Sequence, residues 1–130
     1  TYTGQQTGPI FILAVTSSNS WDITHCIAIS SPGAYTLTNV PKYATNWFLA
    51  FRDSNADGTN NAHEPWGEYT NNPVFLTNDL SSVNITLADP DVDSDGMLDW
   101  WEELNFGSLS QTPNIEVSTT IQAAIDSASA

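Results

Sequence analysis

Apolar residues arrive in short blocks separated by turn-forming residues. Residues 9–16 (PIFILAVT) are apolar almost without a break, the pattern of a strand buried on both faces. Residues 23–30 (ITHCIAIS) read as a second strand, closed by Ser31-Pro32-Gly33. Residues 34–40 set Tyr35 and Leu37 against Thr36 and Thr38, giving one dry face and one wet face. Residues 46–52 (NWFLAFR), 73–77 and 83–88 (VNITLA) are three further strands by the same criteria. Residues 1–8 read as the end of a strand and a turn, and residues 17–21 as a turn. No helical period occurs before residue 97. After it, Leu98, Trp101 and Leu104 fall at helical spacing with Gly107 as a stop. A short helix over 98–106 is predicted, with its apolar side against the strands.

The remaining pattern is C-terminal. Residues 108–114 read as linker. From 114 to 126 the chain alternates, with Ile115, Val117, Thr119, Ile121, Ala123 and Ile125 on one face. Glu116, Ser118, Thr120 and Gln122 lie on the other, as in a strand added to a sheet edge. A helix competes, because Ile121, Ala124, Ile125 and Ala128 also align and Thr119 with Gln122 could form a capping box. Short strands with Pro, Gly and Asn turns predict a mainly β fold, an antiparallel β-sandwich. The expected organisation is a sandwich over 1–90, a loop and helix over 91–107, and a linker and added strand over 108–130.

Two loops change this picture from scaffold to site. In residues 91–102 (DVDSDGMLDWWE) oxygen-bearing side chains fall at positions 1, 3, 5, 9 and 12, with glycine at 6. That is the spacing with which a twelve-residue EF-hand loop wraps calcium. Asp91, Asp93 and Asp95 would each give a carboxylate oxygen and Met97 its backbone carbonyl. Asp99 would act directly or through water, and Glu102 would close the shell with two oxygens. Two carboxylates about 5 Å apart repel by roughly 3 kcal/mol at an effective dielectric near 20, so five in twelve residues imply a cation. Residues 53–64 (DSNADGTNNAHE) repeat the pattern with Asp53, Asn55, Asp57, Thr59, Asn61 and Glu64 as candidate ligands. With three carboxylates instead of five, this second site is expected to bind Ca2+ more weakly. An Asn- and Asp-rich turn held by its own side-chain hydrogen bonds is the competing reading of 53–64.

The chain carries 15 acidic and 2 basic residues, a formal charge of -13. Such a balance argues against nucleic acid or an anionic membrane as a partner. Eight of the acids lie inside the two loops, so bound calcium would neutralise much of the excess. The rest suits a soluble protein outside the cell or at its surface. Cys26 is the single cysteine and reads as a small buried hydrophobe. With no initiator methionine, signal sequence or membrane span, the sequence reads as a processed or excised segment. Asn84-Ile85-Thr86 is a glycosylation sequon placed in a predicted strand.

The order of two motifs carries a resemblance. Gly33-Ala34-Tyr35-Thr36-Leu37-Thr38-Asn39-Val40-Pro41 is followed by a strand ending in Asp53-Ser54-Asn55-Ala56-Asp57-Gly58. This resembles the carboxypeptidase-regulatory or transthyretin-like β-sandwiches of secreted bacterial surface proteins and the B-type repeats of Gram-positive adhesins. The stretch DPDVDSDGMLDWWEE resembles the calcium segments of thrombospondin type 3 and dockerin-like repeats. Together these resemblances cover residues 9–107. They imply an extracellular, calcium-rigidified structural or adhesive module and no one activity.

Catalysis is not expected. His25 is a predicted strand residue, His63 falls at a loop position that does not ligate, and no nucleophile has a base beside it. The hydrolase branch of the transthyretin-like fold needs a His/Arg site and a C-terminal motif that this chain lacks. A carbohydrate-binding module is the alternative, because five tryptophans invite sugar stacking. Trp47 and Trp101 read as core, whereas Trp21, Trp66 and Trp100 read as candidates for exposure. The expected function is a calcium-stabilised structural subunit that joins copies of itself head-to-tail through the C-terminal strand, or joins neighbouring domains.

Overall fold

The computed structural model describes residues 1–106. Residues 1–88 form one compact unit and a second begins at Asp89. The linker and strand predicted for 108–130, and the stop at Gly107, lie outside the described residues. In the first unit five strands form one open antiparallel sheet: β1 (Ile10–Val15), β2 (Cys26–Ile29), β3 (Ala44–Arg52), β4 (Trp66–Glu68) and β5 (Val74–Leu76). The order is β2-β1-β3-β4, with β5 paired to the start of β3.

β1 and β3 are the centre. They pair from Ile10 against Arg52 to Val15 against Trp47, and their alternate residues enter two separate cores. Ile10, Ile12, Ala14, Phe48 and Ala50 pack on one face, with Ile85 and Leu87 from the chain above. Leu13, Val15, Leu49 and Phe51 pack on the other, covered by Trp21, Cys26, Phe11 and Trp47. Burial on both faces is why the sequence is apolar without alternation here. Trp47, expected in the core, is only partly buried against this second cluster.

The first core is covered without a ladder. Residues 34–38 and 83–87 alternate in burial like strands, and Tyr35, Leu37, Val40 and Val83 pack on the core beside Ile85 and Leu87. Neither segment forms a ladder, and one isolated bridge joins Ala88 to Trp66. The expectation of strands at 34–40 and 83–88 is therefore corrected, and a second hydrogen-bonded sheet is not found among the described residues. Alternation in sequence records which side chains are buried, not whether the backbone finds a neighbour. The strand at β4 was not expected. It is three residues long and contains Gly67, and pairing with Leu49–Phe51 holds it in place. Gly67 is required there, since a Cβ would lie 2.0 Å from the Thr86 carbonyl oxygen.

The second unit holds the single helix of the described residues, α1 (Asp99–Phe106). Its position matches the expected 98–106, but its orientation does not. The buried residues are Asp99 and Glu102, while Trp101 (40% exposed), Leu104 (75%) and Phe106 (41%) form an exposed apolar side. Three residues apart on a helix, Asp99 and Glu102 share one face. That face closes the acidic loop, and this requirement overrides the apolar period.

Candidate metal centre

The two acidic loops share one backbone conformation. Position 4 is left-handed in both, at Ala56 (φ 60) and Ser94 (φ 55), and position 6 is the glycine at Gly58 (φ 78) or Gly96 (φ 91). Glycine enters this region without the Cβ clash that other residues meet. Each first aspartate receives the amides of positions 5 and 6. In loop 53–64 Asp57 N and Gly58 N donate to Asp53 at 3.0 and 2.8 Å. In loop 91–102 Asp95 N and Gly96 N donate to Asp91 at 3.3 and 3.0 Å. The fifth residue then receives the amide of the seventh: Thr59 N to Asp57 at 2.9 Å, and Met97 N to Asp95 at 2.8 Å.

The loops differ in how they close. In loop 91–102 one carboxylate oxygen each of Asp91, Asp93, Asp95 and Glu102 lies within 4.8 Å of the others. Glu102 is fully buried, and Asp95 Oδ2 is buried with no hydrogen-bond partner among the described residues. Asp99 is outside the group: its Oδ1 accepts the Val92 amide at 2.8 Å, and its own amide donates to Pro90 O at 2.8 Å. Asp99 thus ties the start of the loop to the first turn of α1. Met97 is half-buried, its amide spent on Asp95. The Asp93 carboxyl is held above its ordinary value, first by desolvation and then by the charge of Asp95. Residues 89–130 contain no Lys, Arg or His. No side-chain cation of this unit offsets four carboxylates whose pairs each repel by about 3 kcal/mol at an effective dielectric near 20. The donor set is all oxygen, the preference of hard divalent cations. These residues could hold a metal ion.

Loop 53–64 is closed by hydrogen bonds of its own. Glu64 is fully buried. Its Oε1 accepts Ser54 N at 2.7 Å, Ser54 Oγ at 3.2 Å and Asn55 N at 3.3 Å, and its Oε2 accepts Asn61 N at 2.9 Å. The Asn55 amide group donates to Asp57 and to Asn61 Oδ1 at 3.3 and 2.9 Å. Asp57 sits below its ordinary value, chiefly because the Thr59 amide donates to it. The carboxylates of Asp53, Asp57 and Glu64 do not form a gathered group of the kind seen at 91–102.

A strap from the N-terminal segment holds the base of this loop, and the sequence pattern gave no sign of it. Asp53 N donates to Pro9 O at 2.9 Å, and Gln6 Nε2 donates to His63 O at 2.9 Å. Arg52 Nε donates to Gly8 O at 3.0 Å, and its guanidinium lies 5.3 Å from the centre of the Tyr2 ring. Arg52 is buried, next to Asp53 in sequence. A polar, glycine-containing stretch carries no periodicity that would announce such contacts.

The tryptophans divide differently from expectation. Trp66 is 45% exposed and stands edge-on to Trp21, which stands edge-on to Phe51. Trp21 and Trp100 are half-buried, and Trp101 is exposed. The chain is thus a mainly β protein whose second unit gathers acidic side chains able to bind a metal. No protein-family model, curated protein or solved structure matches it.

Proposed function

We propose that the chain is an extracellular structural module stabilised by Ca2+, with its primary site at Asp91, Asp93, Asp95 and Glu102. The observation that carries this reading is the convergence of those four carboxylates within 4.8 Å on a loop with no basic residue nearby in sequence. Calcium binds oxygen at 2.3–2.6 Å, so oxygens across the ion are at most about 5 Å apart, a sphere into which this group fits. Asp99 completes the shell through water, and Met97 through its carbonyl. Loop 53–64 is a second, weaker site, because it has three carboxylates instead of five and one of them, Glu64, already accepts four hydrogen bonds that an ion would have to displace. Calcium here is a folding cofactor and not a signal, a reading supported by the lack of a flanking helix pair at either loop among the described residues.

The self-assembling reading joins two further features: the alternating segment 114–126 and the transthyretin-like motif order. The sandwich of that resemblance would be completed by a second sheet over residues 34–40 and 83–87. Calorimetric titration tests the metal. One tight site lost in Glu102→Gln and Asp91→Ala is expected, with a second marginal one lost in Asp53→Ala. Retention of the tight site in Glu102→Gln would refute the assignment. Glycan binding is the second reading, supported by the exposed ring of Trp66. A saturable fluorescence change on titrating soluble glycans, abolished by Trp66→Ala, would establish it.

A further inference from the structure

A groove of about 820 Å³ runs through the first unit between residues 33–42 and 76–84. One wall is the segment that covers the first core without a ladder, and the other runs from Leu76 at the end of β5 to Val83 and Asn84 at the start of the second covering segment. Among the described residues, the backbone N–H and C=O groups of residues 34–40 make no hydrogen bond. Two side-chain contacts join the walls: the Tyr35 hydroxyl donates to Val83 O at 2.6 Å, and Lys42 pairs with Asp79 at 3.0 Å. Tyr35, Leu37, Val40, Leu80 and Val83 supply an apolar lining. Strand-like alternation, an apolar floor and an unpaired backbone together describe an extended segment open to pairing with an added strand.

Charge selects the occupant. In a chain of formal charge -13, copies repel one another over most of their surface. The groove is an exception, since its two charged residues, Lys42 and Asp79, form an ion pair at 3.0 Å and cancel. The segment 108–130 is the matching exception, with two of the fifteen acids in 23 residues. Within it, the sequence of 114–126 alternates apolar and polar residues, the pattern an added strand requires. Residues 34–38 precede the left-handed Asn39 (φ 61), and five residues at about 3.3 Å each give roughly 17 Å of extended edge, long enough for about five residues of that segment.

We infer that this groove is the acceptor for residues 114–126 of a second copy, part of which adds as a strand along residues 34–38. The inference rests on the self-assembly reading above and names its contact. Head-to-tail addition of this kind leaves a free groove at one end and a free strand at the other, so the product is a filament.

Single cysteines test it, in a Cys26→Ser background of the full chain. Thr38→Cys places a thiol on the exposed rim, and Ser118→Cys or Thr120→Cys places one on the wet face of the donor. Oxidation of the Thr38→Cys/Ser118→Cys or Thr38→Cys/Thr120→Cys chain is expected to give a ladder of disulfide-linked multimers. Leu80→Asp, at a groove position 44% exposed, is expected to weaken assembly tenfold or more in native mass measurements. A monomer with an internal disulfide would overturn the assignment to a second copy. Multimers that neither cross-link nor respond to Leu80→Asp would overturn the groove while leaving self-assembly intact. A chain that is monomeric by native mass at all concentrations would overturn both.

Discussion

Glu64 and Glu102 hold the same place in two loops of one backbone shape, yet they close them by different means. Glu64 is bound by three backbone amides and a hydroxyl, so its loop is held without an ion. Removing a buried acceptor leaves donors unsatisfied at about 1–3 kcal/mol each. Glu64→Ala should cost about 3 kcal/mol in urea unfolding with chelator present; a loss under about 1 kcal/mol would show that the clasp contributes little. Glu102 is buried with its carboxylate gathered beside those of Asp91, Asp93 and Asp95, the place proposed for an ion. Protonation separates the loops further. The folded Asp57 carboxyl lies below its ordinary value, so its contribution is present above pH 3.8 and lost as the pH falls through the lower folded value. In chelator, Asp57→Asn should melt lower than the parent at pH 7, and the two curves should converge below pH 3.8. A gap that stays constant with pH would contradict the hydrogen-bond cause. The raised Asp93 has the opposite sign. Its contribution is greatest below the ordinary value and is lost as the pH rises through the higher folded one.

Among the elements, β1 and β3 carry the fold. Phe51 is fully buried and stacks on Phe11 at 5.2 Å between ring centres. Phe51→Ala should cost about 3–5 kcal/mol by denaturant unfolding, with the same substitution at exposed Phe75 near neutral. Gly67→Ala should be destabilising where Gly33→Ala is tolerated, because only the first puts a methyl against backbone. Equal melting temperatures for those two variants would contradict the close approach at Thr86. Periodicity located β1 within a residue or two at each end and α1 within one, since both are long or strongly marked. It located the covering segments 34–40 and 83–87 as alternating but wrongly supplied them with ladders. It passed over β4, whose three residues have no pattern of their own and are set by β3. On α1, Leu98, Trp101 and Leu104 follow a core period, but the residues buried are Asp99 and Glu102, which follow the loop. Loop spacing made the carboxylate group at 91–102 legible in advance. The internal closure of 53–64 depends on which way Glu64 turns, and spacing cannot state that.

At the scale of the molecule, charge and metal are one problem. Thirteen acids stand within the first 107 residues against two bases, and one of those bases, Arg52, is buried against Gly8 and Tyr2. Stability on this account depends on ions supplied by the surroundings, which suits an environment rich in calcium. A ligand that binds only the folded state stabilises it by about 1.4 kcal/mol at ten times its dissociation constant and about 2.7 at one hundred times. The most direct test is the melting temperature of the full chain in millimolar calcium and in excess chelator. The account predicts a fall of several degrees in chelator, reproduced in calcium by Glu102→Gln and restored in the parent by adding the ion back. Superimposable melting curves with and without chelator would contradict it.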